Sequence, residues 1–80
     1  MNAFHAISKK VPVEGMELID FYRFLNLGEY SCWEYVAKPL GKIIKVQDLG
    51  HNLYMVETNN CNVFYVWQVV KKIPKECLTK

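Results

Sequence analysis

The stretch from Lys42 to Val70 constrains the fold most, because it reads as three short strands separated by two turn signals. Lys42 to Leu49, Leu53 to Thr58 and Val63 to Val70 are rich in the β-branched and aromatic residues that fit a pleated, partly buried surface. Gly50, His51 and Asn52 tolerate positive φ between the first two runs, and Asn59-Asn60 offers a tight turn between the second and third. A three-stranded antiparallel meander is the expectation. In its last strand Val63, Tyr65, Trp67 and Val69 alternate with Phe64, Val66, Gln68 and Val70, so both faces are apolar. That predicts a central strand covered on one side by a helix and on the other by barrel closure, the N-terminal segment or a partner subunit.

The flanking sequence supplies the remaining elements. Residues 2–9 alternate weakly and predict a short edge strand ending at Lys9-Lys10, after which Pro12 and Gly15 break the pattern. Met16 to Leu27 predicts an amphipathic helix: at 100° per residue Leu18, Phe21, Tyr22 and Leu25 fall on one stripe, with Glu17, Asp20, Arg23 and Asn26 opposite and Gly28 at the C′ position. Glu29 to Ala37 returns to a period of two, and Lys38-Pro39-Leu40-Gly41 has the signature of a type I turn joining that strand to the one beginning at Lys42. The expected fold class is therefore α+β, one amphipathic helix packed on an antiparallel sheet of four to five strands. The order of strand, Pro-Leu-Gly turn and three strands resembles that of small SH3-like barrels, so a strongly bent, barrel-like sheet is the variant of this expectation. One domain spans residues 1–80, with residues 74–80 as a frayed tail.

A chain of 80 residues buries only about 60% of the surface its unfolded form exposes, so its core must be used efficiently. Its 51% hydrophobic content meets that demand and excludes a disordered chain. Three cysteines without close spacing make a poor disulfide framework and fit a reducing compartment. The start Met1-Asn2-Ala3-Phe4-His5 has no basic region leading into an apolar one, and no apolar run approaches a membrane span, so a cytoplasmic protein without a membrane partner is expected.

No Gly-rich phosphate loop or nucleophile elbow is present, and His5 and His51 stand outside any catalytic motif, so the chain reads as no enzyme. Cys32, Cys61, Cys77, His5 and His51 lack the paired spacing that pre-organises a zinc site, and neither a metal nor a cofactor is expected. Charge is more informative once divided along the chain. Residues 14–37 hold five acids against one arginine, a net −4, whereas the remainder holds nine lysines against three acids, a net +6.

These features point to a non-catalytic protein that acts by occupying a surface of a larger protein or complex, such as a small phage or mobile-element inhibitor of a nucleic-acid-handling or host-defence complex. The acidic helix face and the strand after it are the expected docking patch, with Glu17, Asp20, Glu29 and Glu34 facing a basic surface and Tyr30 and Trp33 as aromatic anchors. The bland alternative is a solvated helix surface. A competing basic face comprises Lys42, Lys45, Lys71, Lys72 and Lys75, which with exposed aromatics would instead make a small nucleic-acid-binding module. A structural homo-oligomer is the third class, drawn from the two-sided apolar strand.

Overall fold

Each stretch of alternating or two-sided apolar character becomes a strand. The computed structural model describes residues 2–26, 28–60 and 63–78. In chain order they form β1 (Asn2–Ser8), β2 (Phe21–Asn26), β3 (Ser31–Val36), β4 (Ile43–Gly50), β5 (Leu53–Thr58) and β6 (Val63–Val69), followed by the single helical turn α1 (Lys75–Leu78). All six strands share one sheet in the order β3-β2-β1-β6-β5-β4. The β4-β5-β6 meander forms as its turn residues dictate, with His51 and Asn52 at φ values of 54° and 63° between β4 and β5. β1 and β6 pair in parallel, while β2 and β3 add to β1 as an antiparallel hairpin.

This architecture corrects the α+β expectation in several respects. The helix predicted over residues 16–27 does not form, because residues 21–26 are strand β2; Leu27 lies outside the described residues. The apolar positions that imitate a helical stripe are those of a strand apolar on both sides, with Phe21 and Leu25 on one face and Tyr22 and Phe24 on the other. Gly28, expected to cap that helix, instead turns the chain between β2 and β3 at φ 83°. The sheet has six strands and is mixed, not four or five and antiparallel. The N-terminal strand, expected at an edge, is one of the two central strands. Nor does Lys38-Pro39-Leu40-Gly41 make a hairpin: β3 and β4, the strands on either side of it, are the opposite edges of the sheet. Within the tail expected to fray over residues 74–80, residues 75–78 make a helical turn with Cys77 buried, and Thr79 and Lys80 lie outside the described residues.

The sheet buries one face by curling around it. Ala6, Phe21, Val36, Ile43, Val56, Tyr65 and Trp67 are all buried in one cluster, although they come from all six strands. Ala6 and Ser8 occupy the middle of this inner face, and their small side chains let Phe21 of β2 reach over β1 to β6. Its ring centroid lies 4.9 Å from that of Trp67 and 5.5 Å from that of Tyr65. Leu25, placed on one stripe with Phe21 in the helical reading, is only half-buried and stands outside the cluster.

Residues 9–20 hold the curl closed. Trp67 Nε1–H donates to Lys10 O at 2.9 Å, removing the one polar group that would otherwise be stranded on a wholly buried indole. Gly15 N–H donates to Ile43 O and Ile43 N–H to Met16 O, at 2.8 and 2.9 Å, on the β4 side. At the other end Asp20 N–H donates to Val36 O of β3 at 2.8 Å, and Leu18 between them is 1% exposed. Gly41 permits this stitch, since a Cβ there would lie 2.6 Å from Asn59 Oδ1, the atom that accepts Lys42 N–H at 3.0 Å.

Candidate binding surfaces

The outer face of the same sheet is also apolar, but the sheet does not enclose it. Register places one row of side chains across all six strands: Trp33 opposite Phe24, then His5, opposite Val66, opposite Met55, opposite Gln47. His5 and Phe24 both set their rings against Trp33, at centroid separations of 5.4 and 5.2 Å. Phe24, Trp33, Met55 and Val66 are half-buried, shielding one another with no covering layer among the described residues. Beside this row lie Phe64 and Leu53, with Glu57 opposite Lys45 as the face's charged pair in register. The segment after β6 covers only one corner. Ile73 borders a cleft with Tyr22 and Tyr35, and α1 packs on β3. Ile7 and Cys77, both buried and outside the core cluster, fit this smaller contact, and burial pushes the Cys77 thiol above its ordinary value.

The residues expected to form an acidic docking patch do not share a face. Glu17 sits in the stitching segment, where its backbone bridges to Lys42, so one member of the acidic set faces one member of the basic set. Asp20 stands at the start of β2 and Glu29 beyond its far end, about 20 Å away at roughly 3.3 Å per strand residue. Tyr30 is exposed in the β2–β3 turn, and Trp33 lies on the outer face. Glu34 points to the inner face, where its Oε1 accepts Arg23 Nε–H at 2.7 Å, and the same guanidinium lies 5.4 Å from the Phe4 ring centroid. Desolvation pulls the Arg23 guanidinium down, but the hydrogen bond and charge of Glu34, joined by Tyr65, together more than offset this and leave it above its ordinary value.

Asp20 is the centre of a small polar network. With φ at 63° it turns the chain into β2, and its Oδ1 accepts the Tyr35 hydroxyl at 2.6 Å while its Oδ2 lies 3.3 Å from Lys10 Nζ. The Tyr35 hydrogen bond first, and the Lys10 ammonium second, hold the Asp20 carboxyl below its ordinary 3.8; the same bond raises the Tyr35 phenol above 10.0.

The basic set is likewise redistributed. Lys45 lies at a register shift in β4 on the outer face, and Lys75 belongs to α1. Lys71 and Lys72 follow β6 and are joined by Lys9 and Lys10, which the sequence reading left out. Only the parallel pairing of β1 with β6 brings these two lysine pairs together. The outer row, by contrast, is legible once residues 21–26 are read with a period of two, which sends Phe24 to the side opposite Phe21.

Among the described residues no three His, Cys, Asp or Glu side chains gather as metal ligands; Cys61, one of the cysteines weighed for that role, lies outside them. No described helix is long and apolar enough to cross a membrane. Comparison with protein-family models, characterised proteins and solved structures found no match.

Proposed function

We propose that the chain is a non-catalytic binding protein that acts by laying the outer face of its sheet on a larger protein. The observation that carries this reading is the row Trp33, Phe24, His5, Val66, Met55 and Gln47, a largely aromatic and aliphatic band crossing the whole sheet with no Asp, Glu, Lys or Arg in it. Interface centres are depleted in charge and enriched in aromatic residues and methionine, which is the composition of this band. Tyr30 and Trp33 keep the anchoring roles suggested by their chemistry, Trp33 at the edge of the band and Tyr30, 62% exposed, at its rim. Glu29 then acts from the rim as a steering charge.

The test uses the whole chain with arginine placed in the band, as Val66→Arg and Met55→Arg. Affinity capture from the native host recovers one stoichiometric protein with the unaltered chain and loses it with both variants, whose unfolding midpoints stay close to the original. A chain that captures no protein but sediments as a dimer, and reverts to monomer on Val66→Arg, overturns the proposal in favour of self-association.

A further inference from the structure

The two halves of the chain meet in one place with a strong excess of positive charge. β1 and β6 run in parallel register from Asn2 opposite Val63 to Ser8 opposite Val69, and Val70 N–H donates to Ser8 O at 2.9 Å. Lys9-Lys10 and Lys71-Lys72 therefore leave adjacent strands at the same end of the sheet. Two open clefts meet at Lys9. One, of about 380 Å³, is bordered by Lys10, Asp20, Tyr22 and Tyr35; the other, of about 390 Å³, by Asn52, Val70 and Lys71. Among the described residues Asp20 is the only carboxylate bordering either cleft, and both its oxygens are engaged, one by the Tyr35 hydroxyl and one by the Lys10 ammonium. Lys9, Lys71 and Lys72 are exposed and have no ion-pair partner among the described residues.

We infer that these clefts bind the backbone of a single-stranded nucleic acid, with phosphates on Lys9 and Lys71, which border them, and on Lys72, the next residue along the chain, and with one base against the ring of Tyr35. Each cleft falls in the range of about 300–1,000 Å³ in which small-molecule groups are held. Lysine neutralises phosphate as a point charge without the paired donors that read base edges, so the site is indifferent to sequence. Tyr35 is 48% exposed although its hydroxyl is tied to Asp20, which leaves its ring presented in a fixed position. Stacking needs an unpaired base, so a single strand fits and a duplex does not. This site adjoins the protein-docking band but shares neither Val66 nor Met55 with it, so the two readings fail independently.

The test is the fluorescence anisotropy of labelled twelve-residue oligo-dT and oligo-U across a salt series from about 50 to 200 mM. Three neutralised phosphates give a log–log slope near −2, at about −0.7 each for a single strand, and hence roughly twentyfold weaker binding across the series. Lys9→Gln alone reduces the slope by about 0.7, and the triple change Lys9→Gln, Lys71→Gln, Lys72→Gln flattens it. Lys42→Gln with Lys45→Gln leaves slope and affinity unchanged. Tyr35→Ala weakens binding about tenfold at constant slope, whereas Tyr35→Phe, which keeps the ring but not its tether to Asp20, weakens it less. Absence of binding at the lowest salt, binding indifferent to the three lysine changes, or binding only to anionic phospholipid vesicles overturns the inference.

Discussion

The two faces of the sheet are built from nearly the same residue types, yet one is a core and the other a surface. Inside, Phe21, Val56 and Trp67 are wholly buried; outside, Phe24, Val66 and Trp33 are only half so. Apolar composition therefore does not decide which side closes. Curvature does, and the residues in the middle of the sheet set it: Ala6 and Ser8 on the inner side of β1 leave room for Phe21 to meet Trp67, whereas His5 on the outer side meets the large rings of the convex surface. A sheet that curls toward its small residues encloses one apolar face and spreads the other.

The largest effects test that division directly. Trp67→Ala and Phe21→Ala each remove a wholly buried ring and should lower stability by about 3–5 kcal/mol, read by chemical denaturation. In a chain of this size that approaches the total stability, so a suppressed or absent transition is also an expected reading. Phe24→Ala and Trp33→Ala, of the same chemistry on the open face, should lose about 1 kcal/mol. Equal losses on both faces would show that the outer band is a second core.

Two alanines of one strand sharpen the comparison at intermediate size. Ala6 is wholly buried at the concave centre and Ala3 is exposed on the convex side. Ala6→Leu should cost about 1–3 kcal/mol by forcing Phe21 and Trp67 apart. Ala3→Leu should stay within about 0.5 kcal/mol. If Ala6→Leu is tolerated as well as Ala3→Leu, small residues do not set the curl.

The Arg23–Glu34 pair lies on the inner side but near its rim, with side chains 23% and 44% exposed. Glu34→Gln should therefore cost less than about 1 kcal/mol, and the loss should shrink at high salt. A salt-independent loss of several kcal/mol would place this pair in the core proper.

What the sequence disclosed follows from the range of the interactions involved. The β4-β5-β6 meander was legible because its turns are local and carry their own chemistry in Gly50, His51, Asn52 and Asn59. β2 was misread because Leu18, Phe21, Tyr22 and Leu25 satisfy a helical period by accident when a short strand is apolar on both sides. The pairing of β1 with β6 joins residues about sixty positions apart and leaves no turn signal, so neither the central place of β1 nor the lysine cluster it creates could be read from spacing. The same error removed the acidic helix face: Glu34 turned inward to Arg23, and Asp20 was committed to Tyr35 and Lys10.

The smallest expected effect asks whether the rim of the outer face is ordered by polar contacts where the inner face is ordered by packing. The Tyr35 hydroxyl donates to the Asp20 carboxylate, and this bond exists only while the phenol is protonated and the carboxyl is not. The folded carboxyl titrates below its ordinary 3.8, so its stabilisation is present above that value and is lost as pH falls through the depressed pKa. The folded phenol titrates above its ordinary 10.0, so its contribution is present below that value and is lost as pH rises through the raised one. Tyr35→Phe should abolish the alkaline arm and move the Asp20 pKa upward, though not fully to 3.8, because Lys10 still faces the carboxylate. Carboxyl and aromatic NMR titrations read both arms. Because the network is exposed, Tyr35→Phe should shift the unfolding midpoint less than Ala6→Leu does. An Asp20 titration unmoved by Tyr35→Phe would mean that the hydrogen bond does not order the rim, leaving Lys10 alone to position Asp20 at the entrance to β2.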